Sequence, residues 1–247
     1  MVVRNSCYQA RCDMLKLCIA GAAGKMGKMI HRLAAADDKI EVTGLLENKG
    51  HPEAGGEITD DIGRAFSGAD CVIDFTSPEA VVEHAGACRE LKLPMVIGVT
   101  GLDASRENAV KEAAKDIPVV FSPNMAPGVN LLFAIAAKAA AVLSDDFDIR
   151  VDETHHVHKK DAPSGTAKMI LSVIRDSSGT EAPCEAKREG EVVGNHGITF
   201  DNAFETLEIR HNAKTREVFA SGAIRAAKYI VSKPAGLYSM SDVLGIK

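Results

Sequence analysis

Residues 15–47 hold the feature that most constrains this chain. A short apolar run, Leu15–Ala20, leads into Gly21-Ala22-Ala23-Gly24-Lys25-Met26-Gly27. Helical spacing follows over Met26–Ala36, then a second apolar run, Ile40–Leu46, that ends at Glu47. A strand that passes through a glycine turn into a helix leaves unpaired amides at the helix start, and small residues let a pyrophosphate approach them. An acid at the end of the next strand stands where adenosine ribose hydroxyls would donate to it. Glycine-rich turns are common, and Ala23 occupies the second glycine position of G-x-G-x-x-G, so the spacing alone is weak. The order of strand, loop, helix, strand and acid gives it weight, against the plainer reading of a structural turn and a surface Glu.

The pattern continues. Asp70–Phe75, Pro94–Thr100 and Ile117–Ser122 are further apolar runs, and Ser77-Pro78-Glu79 has the form of a helix start, with Ser77 as the cap. Near-continuous apolar strands separated by helices predict an α/β unit, a parallel sheet covered by helices on both faces. The second half differs. Phe147, Ile149 and Val151 alternate with Asp148, Arg150 and Asp152; Leu207 and Ile209 alternate with Thr206, Glu208 and Arg210. Period-two alternation predicts an α+β unit whose open mixed sheet has one wet face. The change falls near Met125–Val129, where Pro127-Gly128 punctuates the chain, and Ala223–Ser232 is helical and returns to the first unit. The expected division is a dinucleotide-binding domain, 1–126 with 223–247, and a substrate-binding and oligomerisation domain, 127–222.

Composition narrows the class. With 46% hydrophobic and 26% charged residues the chain is globular, and a net charge of −5 without a clustered basic face argues against nucleic acid. Leu131–Leu143 is too short for a bilayer and holds Lys138, so no membrane role is expected. Six cysteines without a CxxC pair read as reduced thiols of a cytoplasmic protein. Residues 1–13 read as a flexible leader rather than a signal peptide, because Lys16 interrupts the apolar stretch, and Met14 is an alternative start.

The stretch from Glu153 to Ala167 packs His155, His156, His158, Lys159 and Lys160 ahead of Ala162-Pro163-Ser164-Gly165-Thr166. One reading is metal binding, since His156 and His158 would share a side in an extended chain. A structural zinc wants four ligands, and no matching Cys/His cluster is near in sequence. The other reading is an acid–base and anion site. Ser164 caps a helix over Ala167–Ile174, the Gly165, Thr166 and Ala167 amides bind a carboxylate, and the histidines and Lys159 supply donors and a proton. A solvated basic turn is the third.

The chain resembles the dihydrodipicolinate reductase family. The resemblance rests on Gly21-x-x-Gly24-x-x-Gly27, Asp74-Phe75-Thr76, Gly98-Val99-Thr100-Gly101, Gly128-Val129-Asn130, the run from His155 to Ala167, Gly222-Ala223-Ile224-Arg225-Ala226-Ala227 and Lys233-Pro234-Ala235-Gly236-Leu237-Tyr238. It implies a Rossmann-like domain completed by the C-terminal tail. It also implies NAD(P)H-dependent reduction of (hydroxy-)dihydrodipicolinate to tetrahydrodipicolinate in the diaminopimelate route to lysine, by a homotetramer.

Carried over by residue, the resemblance makes His155 the acid–base group and Lys159 the proton donor. His156, Gly165 and Thr166 would hold the dicarboxylate. Gly21, Gly24, Lys25, Met26 and Gly27 would form the pyrophosphate loop, with Phe75 and Thr76 beside it and Glu47 on the ribose. Gly98, Thr100 and Gly101, with Pro123, Asn124 and Met125, would line the nicotinamide. No metal is expected. Glu47 favours NADH, and Lys49 leaves NADPH open. Closure about Met125–Val129 and Gly222 would exclude water. The stretch from Lys187 to His196 is shorter than the family pattern, a second proline (Pro127) precedes Gly128, and Asn48 replaces the basic residue that often follows the ribose acid. Two rivals remain: another two-domain dehydrogenase of an amino acid or semialdehyde, and a non-catalytic dinucleotide sensor.

Overall fold

The computed structural model describes residues 14–246; the expected leader, with Cys7 and Cys12, lies outside the described residues. Strand β1 (Leu15–Ala20) and helix α1 (Lys25–Ala35) lead to β2 (Ile40–Leu46), β3 (Ile58–Thr59) and α2 (Ile62–Phe66). Then come β4 (Cys71–Asp74), α3 (Pro78–Leu91), β5 (Met95–Ile97), α4 (Ala104–Ala113) and β6 (Pro118–Phe121). These strands, with β11 (Gly236–Tyr238), form one seven-stranded sheet in the order β11-β6-β5-β4-β1-β2-β3. Every pairing in it is parallel.

Burial of both faces explains the apolar runs. On one side Leu17, Ile19 and Ile73 pack under α1 and α7 (Glu217–Ile230), with α8 (Met240–Leu244) beside them. On the other side Cys18, Val72, Met95 and Ile97 meet α2, α3 and α4. The first two strands fall where the apolar runs place them, and Ser77 caps α3 by accepting from the Ala80 amide. Strands β4, β5 and β6 are shorter than their apolar runs, and β3 and β11 are too short for periodicity to reveal.

The helix expected over Ala223–Ser232 begins earlier, at Glu217, and its Ala220, Ala223 and Ala227 belong to the first core. Gly222, expected to flex, lies inside that helix. A Cβ there would sit 1.8 Å from the Met125 carbonyl oxygen, so Gly222 permits close packing.

The chain crosses to the second unit through α5 (Pro127–Leu143). There β7 (Asp148–His155), α6 (Gly165–Ser178), β8 (Cys184–Arg188), β9 (Gly194–Asp201) and β10 (Thr206–Ala213) form a sheet ordered β10-β9-β7-β8. It is mixed: β8 is parallel to β7, while β9 is antiparallel to β7 and β10 to β9. Ile149, Val151, Ile198 and Phe200 face Leu132 and Ala136 of α5 and Ile170 and Ile174 of α6. Asp148, Arg150, Glu208 and Arg210 stay exposed, as the alternation requires, and Ile209 packs on the core, but Leu207, on the edge strand β10, is exposed as well. The compressed stretch still yields both β8 and β9, joined by Glu189–Val193. Among the described residues no helix is long and apolar enough to cross a membrane.

Candidate active site

The glycine loop is built for close approach. Gly21 has φ +81, and a Cβ on it would lie 2.8 Å from the Phe75 carbonyl oxygen. Gly27 supports the turn from below, where a Cβ would meet the Gly21 carbonyl at 2.0 Å. Gly24 precedes α1 as its N-cap and offers no side chain to cap it, so the first amides of the helix are left for a ligand. Glu47, at the end of β2, turns toward this loop: its carboxylate accepts from the Ala23 amide and from its neighbour Asn48, each at 3.0 Å.

Gly21, Gly24, Glu47, Phe75 and Thr76 line a cleft of about 550 Å³. Lys49, weighed for NADPH, shares it, as do Asp60 and His84, which were not foreseen as site residues. His84 is buried, with Nδ1 2.7 Å from the buried Asp74 carboxylate. The other oxygen of Asp74 accepts from the Thr76 amide at 2.9 Å and hydroxyl at 2.5 Å, which fixes the loop after β4. Nothing in the local sequence joins His84 to Asp74; α3 does.

A second cleft, about 310 Å³, begins where Phe75 lines both. Gly98 is there because the Phe75 ring covers it; a Cβ would lie 2.2 Å from the ring. Met26, Thr100, Pro123, Asn124 and Met125 come from the first unit, and His155, His156, Lys159 and Thr166 from the second. A third cleft of about 360 Å³ adds Gly101, Ser164 and Gly165 to Thr100, Lys159 and Thr166. Asn124 bridges the units by donating to the Thr166 hydroxyl at 3.1 Å. Lys25 and Gly27 line none of the three clefts: Lys25 is exposed at the start of α1, and Gly27 is buried beneath the loop. Arg216 and Phe219, unforeseen, enter from the start of α7, with Arg216 Nη2 3.4 Å from His156 Nε2.

A glycine cradle, an uncapped helix start and an acid at the end of β2 together fit a dinucleotide running from Glu47, past Phe75, to Gly98. The residues facing it fit an anion. Ser164 caps α6 by accepting from Ala167 at 3.1 Å, and the first helical bond is made by Lys168. The Gly165 and Thr166 amides are thus without helical partners, and the helix dipole favours a carboxylate there. That helix extends to Ser178, beyond the expected Ala167–Ile174. Lys159 Nζ lies 2.9 Å from Asp161, whose carboxyl it holds below the usual range.

Sequence reasoning missed the buried residues behind the cluster. Glu153 is wholly buried, with Oε2 2.5 Å from His155 Nδ1. Burial pushes the Glu153 carboxyl up, but hydrogen bonds from Ser164 and Arg188 and the charge of His155 together bring it below its ordinary value. Burial drives His155 below its ordinary value, and Lys159 and Arg188 add to that against Glu153. His196 packs edge-on to His155, centroids 5.1 Å apart, and burial pushes it down to about 4.

Ligand atoms of Glu153, His155 and His196 all lie within 4.8 Å of one another. The tight Glu153–His155 contact and the adjoining Arg188 guanidinium suit a shared proton better than a second cation. His156 and His158 do not share a strand face: β7 ends at His155, and His158 is exposed.

The comparisons with known proteins agree with this geometry. A family model described as Dihydrodipicolinate reductase, N-terminus, matches residues 15–125, and one described as Dihydrodipicolinate reductase, C-terminus, matches residues 128–244. The 4-hydroxy-tetrahydrodipicolinate reductase of Anaeromyxobacter dehalogenans (strain 2CP-1 / ATCC BAA-258) is 42% identical, over 95% of this chain and 99% of its own. That of Syntrophus aciditrophicus (strain SB) is 38% identical, over 95% and 100%. The first alignment spans 268 positions against a chain of 247, so that relative has positions this chain lacks. A dipicolinate-bound dihydrodipicolinate reductase from Paenisporosarcina sp. TG-14 has the same fold, with a TM-score of 0.80 at 22% identity over 92% of this chain and 97% of that one. The two matched halves meet at the clefts that unite Gly98, Thr100 and Asn124 with His155, Lys159 and Thr166, and the chain belongs to the dihydrodipicolinate reductase family.

Proposed function

We propose that the chain is a 4-hydroxy-tetrahydrodipicolinate reductase of the diaminopimelate route to lysine, with its acid–base chemistry at His155 and Lys159. The observation that carries this reading is one cleft. In it the glycine-built nicotinamide side of the first unit faces two cationic or proton-bearing groups and the start of α6 in the second. Bound NAD(P)H supplies the hydride. The substrate is a planar dianion with a conjugated C=C–C=N system. The Gly165 and Thr166 amides, His156 and Arg216 hold its carboxylates and orient the ring. As density moves onto the ring nitrogen, Lys159 and His155 stabilise the developing charge and deliver the proton to the neighbouring carbon. The units meet across Asn124–Thr166, which suits a site that excludes water on closing.

NADH is the favoured cofactor. Glu47, Asp60 and Glu83 set three carboxylates on the cleft against the single ammonium of Lys49, and a ribose 2′-phosphate meets net repulsion. In this reading the substrate unit runs from the start of α5 to the start of α7, and the dinucleotide-binding unit takes the elements before and after it. Assembly is as a homotetramer through the second sheet, in the cytoplasm. Light scattering checks the assembly, and a monomer at micromolar concentration overturns it.

A coupled assay tests the reaction. Substrate is generated in place from pyruvate and aspartate semialdehyde by its synthase, and loss of nicotinamide absorbance is followed with each cofactor. Synthase-dependent oxidation, faster with NADH, is expected. A folded protein that binds NADH and oxidises none leaves only the dinucleotide fold.

A further inference from the structure

Strands β8 and β9 pair with opposite sides of β7, so the connection Glu189–Val193 crosses the end of β7, where His155 sits. The crossing is pinned: the Glu189 amide donates to the His155 carbonyl at 2.8 Å, and the Val157 amide to the Gly190 carbonyl at 3.1 Å. Arg188, the last residue of β8, reaches under the loop. Its Nε donates to the Lys159 carbonyl at 3.2 Å, and its Nη2 donates to the Asp161 carbonyl and to Glu153 Oε1 at 3.1 Å. The same Oε1 accepts from the Ser164 amide at 3.0 Å, while Oε2 faces His155 Nδ1. Neither Arg188 nor Glu153 lines the three clefts.

We propose that Arg188 and Glu153 form a positioning pair that sets His155, Lys159 and the start of α6 relative to one another. Each half has a chemical reason. Glu153 Oε2 stands 2.5 Å from Nδ1, which leaves Nε2 as the atom for proton chemistry, beside Gly194, where a Cβ would lie only 2.9 Å away. Arg188 holds the carbonyls of Lys159, Asp161 and its neighbour Lys187 and a carboxylate at once, which a rigid fork of five donors can do and a single ammonium cannot. Together they touch the His155 ring, the backbone carrying Lys159 and the first turn of the anion-binding helix. The proposal rests on His155 and Lys159 being the acid–base groups.

The test uses the full chain with Arg188→Ala, Arg188→Lys and Glu153→Gln, reading kcat, KM and NADH affinity, with His155→Ala and Lys159→Ala alongside. Displacing a catalytic group by about 1 Å lowers turnover by up to roughly a hundredfold, so kcat should fall about tenfold to a hundredfold in all three. NADH affinity should stay within about threefold, and KM should rise by less than kcat falls, because the pair sets the acid–base groups as well as the first amides of α6. Added guanidinium ion should restore part of the activity of Arg188→Ala and none of that of Arg188→Lys.

If Arg188→Ala does not fold, Arg188→Lys, which keeps the charge beside Glu153, decides. Wild-type kcat in Arg188→Lys overturns the proposal. So does a parallel loss of kcat, KM and NADH affinity without guanidinium rescue. If His155→Ala and Lys159→Ala themselves keep full turnover, the acid–base assignment fails first. If they lose turnover while Arg188→Lys keeps it, only the positioning pair fails.

Discussion

Lys159 is half-buried, and its ammonium pairs with Asp161 while reaching two of the clefts. Its carbonyl is held by Arg188, so its backbone is fixed even when the side chain moves. Lys159→Ala should lower kcat by roughly 10²- to 10⁴-fold, the usual worth of a positioned acid, and leave NADH affinity unchanged in a fluorescence titration. An equal loss in both would place Lys159 on the cofactor instead. Glu47 gives the second residue-scale expectation. It accepts from the Ala23 amide of the glycine loop, and the proposed reading turns its oxygens to the ribose of NADH. Glu47→Ala should weaken NADH by about tenfold or more and NADPH by less, since a hydrogen bond to a charged group contributes ~1.5–3 kcal/mol. A cofactor ratio that does not move would take Glu47 off the ribose. Both residues were named from the sequence, one from the His–Lys cluster and one from its place after an apolar run, and the structure puts both on the clefts. Glu153 and Arg188 were not so named. They are 35 positions apart and meet only because β7 and β8 lie parallel in that register.

At the scale of elements, legibility followed contrast. Strands β1 and β2 were readable because both their faces are buried, and α3 and α6 because Ser77 and Ser164 announce their starts. Helix α7 was read short because its N-cap, Arg216, makes no side-chain cap and its inner face is largely alanine and glycine. Small residues carry little apolar signal, yet they let helix and backbone approach. Gly222→Ala should therefore destabilise by about 1–3 kcal/mol, the usual result of overfilling a packed contact, because its Cβ would strike the Met125 carbonyl. Chemical unfolding measures this; an unchanged midpoint would show that α7 shifts freely.

At the scale of the whole molecule, buried histidines make stability depend on pH. His196 lies among His155, Glu153, His211 and Lys159, and its affinity for a proton is pushed down to about 4 from 6.5, mainly by burial. Between those values the unfolded chain binds a proton that the folded chain refuses. Stability is therefore full above pH 6.5 and falls as pH drops toward 4. At 1.36 kcal/mol per unit, His196 alone removes on the order of 3 kcal/mol. His155 and His211, also lowered by burial, steepen the fall. His196→Gln should flatten urea-derived stability between pH 7 and pH 4.5. A slope identical to that of the parent would mean that His196 is not protonated on unfolding.

The amino-acid sequence determined what depends on near neighbours: the strand–glycine–helix start, the two hydrophobic periods, the cap at Ser164 and the clustering of imidazole and ammonium groups from His155 to Lys159. Those are set within a few residues by sterics, backbone hydrogen bonding and burial. Tertiary structure decided what depends on strands meeting from afar. The parallel register of β8 on β7 brought Arg188 to Glu153 and, through it, to His155, before the chain crossed the end of β7 to β9. A buried carboxylate needs partners wherever they come from in the chain, and only the folded sheet supplies them.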